Sequence, residues 1–197
     1  MKRLVLVAVV FAAVTLAASG SAFSADKVLF SFERDSEGWE IPDWAYEQAD
    51  SYVGEEIAVT KDVAKEGESS LKLATNFPGG RWNGAIVEVM EFFDWTEFSR
   101  ISCDIYLPED APRGLKAKLV LTVGESWKWT EMSRSIKLEQ GKWITISANL
   151  KPGSEDWKRT KPTDEFRADV RKIAIRVESN KAAYKGPVYI DNIVLSE

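Results

Sequence analysis

The stretch Ile101-Ser102-Cys103-Asp104-Ile105-Tyr106-Leu107 alternates apolar and polar side chains without a break and is followed by Pro108. A period of two is typical of a strand with one buried face, because successive side chains point to opposite sides of a sheet. Proline ends such a strand because it has no N–H to donate to a neighbour. The sequence therefore predicts a core strand over residues 101–107.

Similar strand patterns occur along the rest of the chain. They cover residues 28–32, 71–73, 82–93, 115–123, 144–150, 173–177 and 188–195. Only residues 164–171 are predicted to form a helical turn or two, so the chain lacks the strand–helix alternation that a parallel sheet requires. No linker or internal repeat divides the sequence. The pattern predicts one all-β domain, an antiparallel β-sandwich.

The N-terminus has the pattern of a signal peptide. A short basic segment, Met1–Arg3, precedes the apolar run Leu4–Ala18, and a small-x-small cleavage site follows at residues 22–24. Residues 1–24 are therefore predicted to be a signal peptide and residues 25–197 a single domain, secreted or periplasmic. The apolar run is short for a membrane span and no later segment is longer, so no membrane insertion is expected.

The composition favours recognition by aromatic rings over acid–base chemistry. The 197 residues include eight tryptophans and no histidine, and the formal net charge is −5. Without histidine the chain has no Ser–His or Cys–His nucleophile and lacks the commonest metal ligand. No basic run is long enough to follow a phosphate backbone, so nucleic acid is not an expected partner. Cys103 is the only cysteine, which excludes an intrachain disulfide.

Four tryptophans are predicted to stack on sugar rings, because polar residues or glycines surround them and an indole suits the apolar face of a pyranose. They are Trp44, Trp82, Trp127 and Trp129, the last two expected on one strand face. Packing in the core is the alternative for each. Trp39, Trp95 and Trp143 are predicted to be structural, and Trp157 fits either role.

Polar side chains on or beside predicted strands are candidate partners for sugar hydroxyls. They are Asn83, Arg134, Arg176 and Glu131. Side chains of these types more often form a solvated surface, so that interpretation stands beside the binding one.

Four further stretches span most of the chain in a recognisable order. They are Phe30–Glu33 followed by Gly38-Trp39, Glu66–Leu73, Gly141–Ile146 followed by Leu150, and Tyr189–Leu195. Together they resemble the calcium-binding carbohydrate-binding modules of the β-jelly-roll, galactose-binding-like kind, closest to those that bind mannan or β-glucan. The resemblance implies a jelly roll that binds a polysaccharide or oligosaccharide without cleaving it. Most such modules serve a glycanase on the same chain. Here no catalytic domain is attached, so we expect a monomer that works beside a separate glycanase.

The same resemblance implies a structural calcium that ties the first and last strands together. Glu33 and Asp191 would supply carboxylate oxygens, Glu68 a backbone carbonyl, and Glu66 a possible extra ligand. Calcium prefers six to eight hard oxygen ligands, so this donor set is suitable. From the residues alone, Glu33 and Asp191 also fit ordinary acids at strand edges.

Two other functions remain open from the sequence. Glu33-Arg34-Asp35-Ser36-Glu37 matches the Glu-x-Asp-x-Glu spacing of a jelly-roll glycanase family, and glycoside hydrolysis needs two carboxylates at a fixed separation. Ser36-Glu37-Gly38 has the composition of a turn, which would not hold those acids rigidly. The third class is a structural or adhesive envelope protein, whose tryptophans would lie in the core or an interface.

Overall fold

The computed structural model describes residues 26–197, and the predicted signal peptide lies outside them. Strands dominate this part of the chain, together with two short helices. The strands are β1 (Lys27–Phe30), β2 (Gly54–Thr60), β3 (Ser70–Pro78), β4 (Asn83–Phe93), β5 (Arg100–Leu107), β6 (Lys116–Val123), β7 (Lys128–Met132), β8 (Ile136–Lys137), β9 (Lys142–Asn149), β10 (Trp157–Lys158), β11 (Val170–Ser179) and β12 (Ala183–Ser196). The helices are α1 (Asp43–Glu47) and α2 (Asp164–Ala168).

The strands form two antiparallel sheets. Sheet 1 has the order β2-β3-β12-β5-β9, with β1 pairing with β12. Sheet 2 has the order β10-β7-β6-β11-β4, with β8 pairing with β6. The prediction of an all-β antiparallel sandwich is confirmed.

One hydrophobic core lies between the sheets. Cys103 and Ile105 of β5 and Leu119 and Leu121 of β6 are fully buried within it. Burial of the Cys103 thiol raises its pKa well above its ordinary value, so the thiol stays protonated. The alternation read from residues 101–107 thus assigns the inner face of β5 correctly.

Two predicted elements differ from the structure. Trp127 does not share a strand face with Trp129: its amide donates to the carbonyl of Gly124 at 2.9 Å, which places Trp127 in a turn before β7. Trp143 does not close the core: it pairs with Tyr106 on the outer face of sheet 1, with ring centroids 5.5 Å apart. Alternation alone could not give these orientations, because both depend on where a strand starts.

Three other tryptophans lie in the interior and have structural roles. Trp39, Trp95 and Trp157 are buried, and Trp39 packs edge-on against Phe30 with ring centroids 5.5 Å apart. The indole nitrogen of Trp157 donates to the carbonyl of Asn149 at 2.8 Å. The predicted structural roles of Trp39 and Trp95 agree with this burial. None of the helices in residues 26–197 is long and apolar enough to cross a membrane.

Candidate functional site

The outer face of sheet 2 carries charged side chains that are largely buried, whereas charged side chains on a surface strand are usually solvated. On β11 the buried Ile175 and Val177 point inward, so Arg176 between them points outward. Arg176 lies opposite Lys118 of β6 in the sheet register, and Val120 of β6 lies opposite Glu131 of β7. The pleat therefore brings charges from three strands together.

These charges form a network of ion pairs. The Glu131 carboxylate lies 2.8 Å from a guanidinium nitrogen of Arg176 and 3.5 Å from the Lys118 ammonium. Arg176 also contacts Glu178 at 3.1 Å, and Lys118 donates to the carbonyl of Met132 at 3.2 Å. Burial favours the neutral form of Glu131, but the charges of Arg176 and Lys118 outweigh it and lower the pKa of Glu131 below its ordinary value.

A groove of about 370 Å³ opens beside this network. Its lining residues are Trp44, Gln48, Tyr52, Trp129, Glu131, Arg159 and Arg176. Aromatic rings thus face a groove whose other walls carry hydrogen-bond donors and acceptors. Shallow sites of this composition suit a ligand with an apolar face and many hydroxyl groups.

Trp44 and Tyr52 form an aromatic wall of the groove, and Trp82 packs against Tyr52 beside it. The Tyr52 ring meets Trp44 edge-on with centroids 4.7 Å apart, and meets Trp82 edge-on at 5.9 Å. Trp82 is 39% exposed, and the Arg176 guanidinium lies 5.7 Å from the centre of its ring. These contacts hold the indoles at fixed angles, so little side-chain entropy would be lost when a ligand stacks on them.

Backbone hydrogen bonds attach this wall to the edge of β4. The amides and carbonyls of Glu40 and Glu88 exchange hydrogen bonds of 2.9 Å, and the amide of Val53 donates to the carbonyl of Gly84 at 2.8 Å. A Cβ at Gly84 would lie 3.3 Å from Cδ of Arg176 and 3.4 Å from Cη2 of Trp82. Glycine at this position lets both side chains approach the strand closely.

The structure brings together only part of the predicted set. Trp44, Trp129 and Arg176 line the groove, and so does Glu131. Trp82 adjoins it through Tyr52. Trp127 instead lies beside Arg171, near the other end of β11, where the guanidinium is 5.5 Å from its ring.

Two predicted glycan contacts are corrected by their positions. Asn83 is 1% exposed, and its side-chain amide donates to the carbonyl of Asp50 at 2.9 Å, so it supports the groove wall and cannot reach a ligand. Arg134 follows the end of β7 and lines a separate cavity with Glu155 and Asp156. Strand β7 ends at Met132, so Arg134 lies beyond the strand that carries Glu131.

Sequence reasoning missed three residues of the groove: Gln48, Tyr52 and Arg159. Gln48 and Tyr52 belong to a segment without periodicity, and they reach sheet 2 through the parallel bridge between Tyr52 and Gly84. Arg159 follows β10 with a left-handed backbone, φ 65°. The only sequence signal was the closeness of Tyr52 to Trp44, which by itself does not indicate a shared wall.

The carboxylates predicted to bind calcium converge at the turn before β3, away from the groove. Asp191 accepts hydrogen bonds from the amides of Lys65 at 2.7 Å and Glu66 at 3.1 Å, and Glu33 accepts one from the amide of Glu68 at 3.0 Å. A Cβ at Gly67 would lie 2.2 Å from a carboxylate oxygen of Glu33. Glycine is therefore required for Glu33 to reach the turn.

The charge and the donor atoms of this turn fit a hard cation. The adjoining cavity of about 380 Å³ is lined by Asp26, Glu33, Glu66 and Asp191, and by no basic side chain. Burial raises the pKa of Asp191, and the negative charge of Glu33 adds to the rise although three backbone amides oppose it. Within residues 26–197, no three His, Cys, Asp or Glu side chains are placed to hold a metal ion together. A cation here would therefore need backbone carbonyls and water besides Glu33 and Asp191.

Glu68 contributes to this turn through its backbone only. Its side chain is exposed and pairs with Lys61 at 2.5 Å. The expectation that the backbone carbonyl of Glu68 binds calcium stays a prediction. Here its amide is the group that contacts Glu33.

The acids of the Glu-x-Asp-x-Glu pattern do not form a pair across a cleft. Glu33 reaches the turn at Glu68, whereas the Glu37 carboxylate accepts hydrogen bonds from the amides of Ser31 and Phe32. Asp35 accepts a hydrogen bond from the amide of Glu37 at 2.7 Å. Asp35 and Glu37 thus stabilise a local turn and Glu33 the turn before β3, and none of the three lines the groove on sheet 2.

Comparison with known proteins identifies the family. A family profile described as mannanase, galactose-binding domain-like, matches residues 30–192, which is most of the chain. The chain belongs to this family. The matched residues therefore run from the end of β1 into β12 and include strands of both sheets. No curated protein sequence matches the chain.

Solved structures with the same fold include carbohydrate-binding modules at low sequence identity. A family 27 module of Caldicellulosiruptor saccharolyticus in complex with mannohexaose is 20% identical, with a TM-score of 0.63 over 88% of this chain and 97% of that one. A family 28 module specific for non-crystalline cellulose is 17% identical, with a TM-score of 0.65 over 86% and 94%. A family 11 module of Clostridium thermocellum in complex with a β-1,3-1,4-mixed-linked tetrasaccharide is 21% identical, with a TM-score of 0.53 over 88% and 97%. At these identities the similarity shows the shared fold.

Proposed function

We propose that the protein is a non-catalytic carbohydrate-binding module that holds a mannan or β-glucan chain by tryptophan stacking. The observation that carries the proposal is the groove on sheet 2. Trp44 and Trp129 line this groove together with the charged side chains of Arg176 and Glu131. An indole that covers on the order of 100 Å² of a sugar contributes about 2.5 kcal/mol at 25 cal/mol per Å². Two or three such contacts, less the cost of ordering the ligand, support binding in roughly the micromolar to millimolar range.

The groove lacks the pair of carboxylates that hydrolysis would need, so its described lining favours binding over hydrolysis. A glycosidase requires an acid and a second carboxylate on opposite sides of the scissile bond. Among the residues of 26–197 that line the groove, Glu131 alone carries a carboxylate. Its lowered pKa and its ion pairs with Arg176 and Lys118 make it unsuited to donate a proton near neutral pH.

Affinity electrophoresis of the protein without residues 1–24 tests this function. We expect soluble mannan or β-glucan in the gel to retard the protein, with xylan as a comparison and an unloaded gel as the control. The viscosity of the retarding polysaccharide should not change on incubation with the protein. Free migration in every gel would contradict the glycan proposal and favour the structural or adhesive alternative. A falling viscosity would instead favour a glycanase.

We also propose that the protein is exported, acts as a monomer and works beside a separate glycanase. A polysaccharide ligand of the mannan or β-glucan class is found outside the cell, in agreement with the signal-peptide pattern of residues 1–24. A non-catalytic module increases the local concentration of an enzyme on an insoluble substrate only if the two act on the same polymer.

We also propose that calcium binds at Glu33 and Asp191 and stabilises the turn before β3. EDTA should lower the melting temperature, because the negative charges of these two carboxylates would then lack a counterion. At a calcium concentration about 100 times Kd, binding contributes about 2.7 kcal/mol. For a domain of this size that is a shift of about 5–10 °C, measured by differential scanning fluorimetry with and without added CaCl₂.

A matched pair of variants separates calcium binding from a general charge effect. Asp191→Asn should abolish the response to EDTA and CaCl₂, whereas Glu68→Gln should keep it, because the exposed Glu68 side chain pairs with Lys61. An identical melting temperature of the wild-type protein in EDTA and in CaCl₂ would remove the calcium proposal. It would leave the glycan proposal untouched, because the turn lies on sheet 1.

A further inference from the structure

A second aromatic group lies on the same face of sheet 2, beyond the groove. The Arg171 guanidinium lies 5.2 Å from the centre of the Phe92 ring and 5.5 Å from the centre of the Trp127 ring. Phe92 is 71% exposed and Trp127 is 44% exposed. We call Phe92, Arg171 and Trp127 the outer platform. Large exposed apolar side chains that cluster on a sheet face are typical of a binding surface.

A β-bulge places the platform on the outer face. Val170 and Ile173 are both fully buried, so the two residues between them, Arg171 and Lys172, both lie on the outer side. The register of β11 shifts between Val170 and Lys172 against both β4 and β6. Bulges re-aim side chains in this way and are over-represented beside functional sites.

Trp127 holds its position at a conformational cost. Its φ is +51°, in the left-handed region that bulky side chains rarely adopt. Such a residue costs on the order of 1–3 kcal/mol, and glycine would avoid that cost. Arg171 is fixed in turn by Asp169, which accepts hydrogen bonds from Nε and Nη2 at 2.8 Å each. These hydrogen bonds orient the Arg171 guanidinium between the two rings, and the left-handed backbone marks Trp127 as a residue to test for function.

The outer platform continues the groove along the sheet. Thr122 of β6 lies opposite both Lys172 of β11 and Trp129 of β7, and Trp129 lines the groove. Arg171 and Arg176 carry the two arginine–aromatic stacks on one strand, five residues apart. At about 3.3 Å per residue, the two stacks are roughly 15 Å apart. This span exceeds a single sugar ring and suits an extended chain.

We propose that the outer platform is a second contact for the same glycan chain, so that the protein selects long internal segments of a polysaccharide over short oligosaccharides. This inference rests on the proposed glycan function. A short ligand fills the groove between Trp44 and Trp129, and a longer chain continues to Trp127 and Phe92. The added contact tightens the binding of long chains only, because the first contact has already removed most of the translational freedom of the ligand.

Calorimetric titration with manno- and gluco-oligosaccharides of two lengths tests the inference. We expect the wild-type protein to bind a hexasaccharide about tenfold more tightly than the trisaccharide of the same linkage. Phe92→Ala and Trp127→Gly should each remove most of this gain and leave the affinity for the trisaccharide unchanged. Trp127→Gly should melt no lower than the wild type, because glycine accepts the left-handed backbone. Tyr46→Ala, which removes another exposed aromatic ring, is the matched control and should bind both ligands like the wild type.

The outcomes separate this inference from the function on which it rests. Equal wild-type affinity for both lengths, or a full length-dependent gain in the platform variants, would overturn the outer platform alone. Binding of neither oligosaccharide class by the wild-type protein would overturn the glycan function together with the inference.

Discussion

Replacing Trp129 with alanine is expected to weaken glycan binding at least tenfold, a loss of about 1.4 kcal/mol. Trp129 lies on β7 and lines the groove together with Trp44 and Tyr52, so a sugar ring in the groove would contact its indole. The loss should appear as a higher Kd in calorimetric titration with the polysaccharide that retards the protein in gels. Trp82→Ala is expected to have a similar effect, because Trp82 supports the wall through Tyr52.

Trp143→Ala is the matched control for Trp129→Ala. Trp143 is a partly buried tryptophan on a strand, like Trp129, but it lies on the outer face of sheet 1 beside Tyr106. Its replacement should leave Kd unchanged. The thermal stability of Trp129→Ala should change little, since the ring lies at the surface of the core. Equal losses of binding and stability in Trp129→Ala would place this residue in the core instead of the site.

Replacing Arg176 with methionine is expected to lower the free energy of unfolding by about 3–5 kcal/mol, the cost of breaking a buried ion pair. The side chains of Arg176, Glu131 and Glu178 are only 10–14% exposed, so the variant leaves two carboxylates with little water to compensate them. Urea unfolding monitored by tryptophan fluorescence measures the loss. Arg134→Met is the matched control and should stay within about 0.5 kcal/mol, because Arg134 is exposed.

The effect of Arg176→Met should depend on pH. In the wild-type protein the pKa of Glu131 is lowered. Ionised Glu131 therefore contributes its full stabilisation at pH values above the ordinary carboxyl pKa, and this stabilisation is lost as the pH falls through the lowered pKa. Without Arg176 that contribution is smaller, because only Lys118 and Lys158 remain beside Glu131, so the difference in stability between the two proteins should narrow below about pH 4.5. Adding Glu131→Gln to Arg176→Met should recover part of the loss near neutral pH. A gap that stays constant with pH, or no loss at all, would contradict the central role of this ion pair.

The sequence predicted the fold well because the core strands obey a local rule. Cys103, Ile105, Ile173 and Ile175 all lie inward, as their period of two requires. The same rule correctly places Arg176 on the outer face. The strands that sequence reasoning missed, such as β2 and β10, are edge strands that are exposed or short, so no alternating buried face marks them.

The site was less predictable because tertiary contacts assemble it. The wall with Trp44 and Tyr52 depends on bridges from residues 40–53 to the edge of β4, and no local pattern encodes those bridges. Trp127 and Arg171 are displaced from simple alternation by a turn and a bulge, which only the pairing of strands reveals. Asn83 looked available from the sequence but is used to support the wall.

Ligand binding in the groove would also stabilise segments that lie far apart in the sequence. The residues of the groove come from the segment around α1, from β7, from the residue after β10 and from β11, so the unfolded chain retains none of the site. A ligand that binds only the folded state stabilises the whole domain, by about 2.7 kcal/mol at a concentration 100 times Kd. Occupied protein on a polysaccharide should therefore resist proteases throughout residues 26–197, including loops that the sugar never touches. Retention on the proposed glycan would in this way lengthen the lifetime of the folded protein.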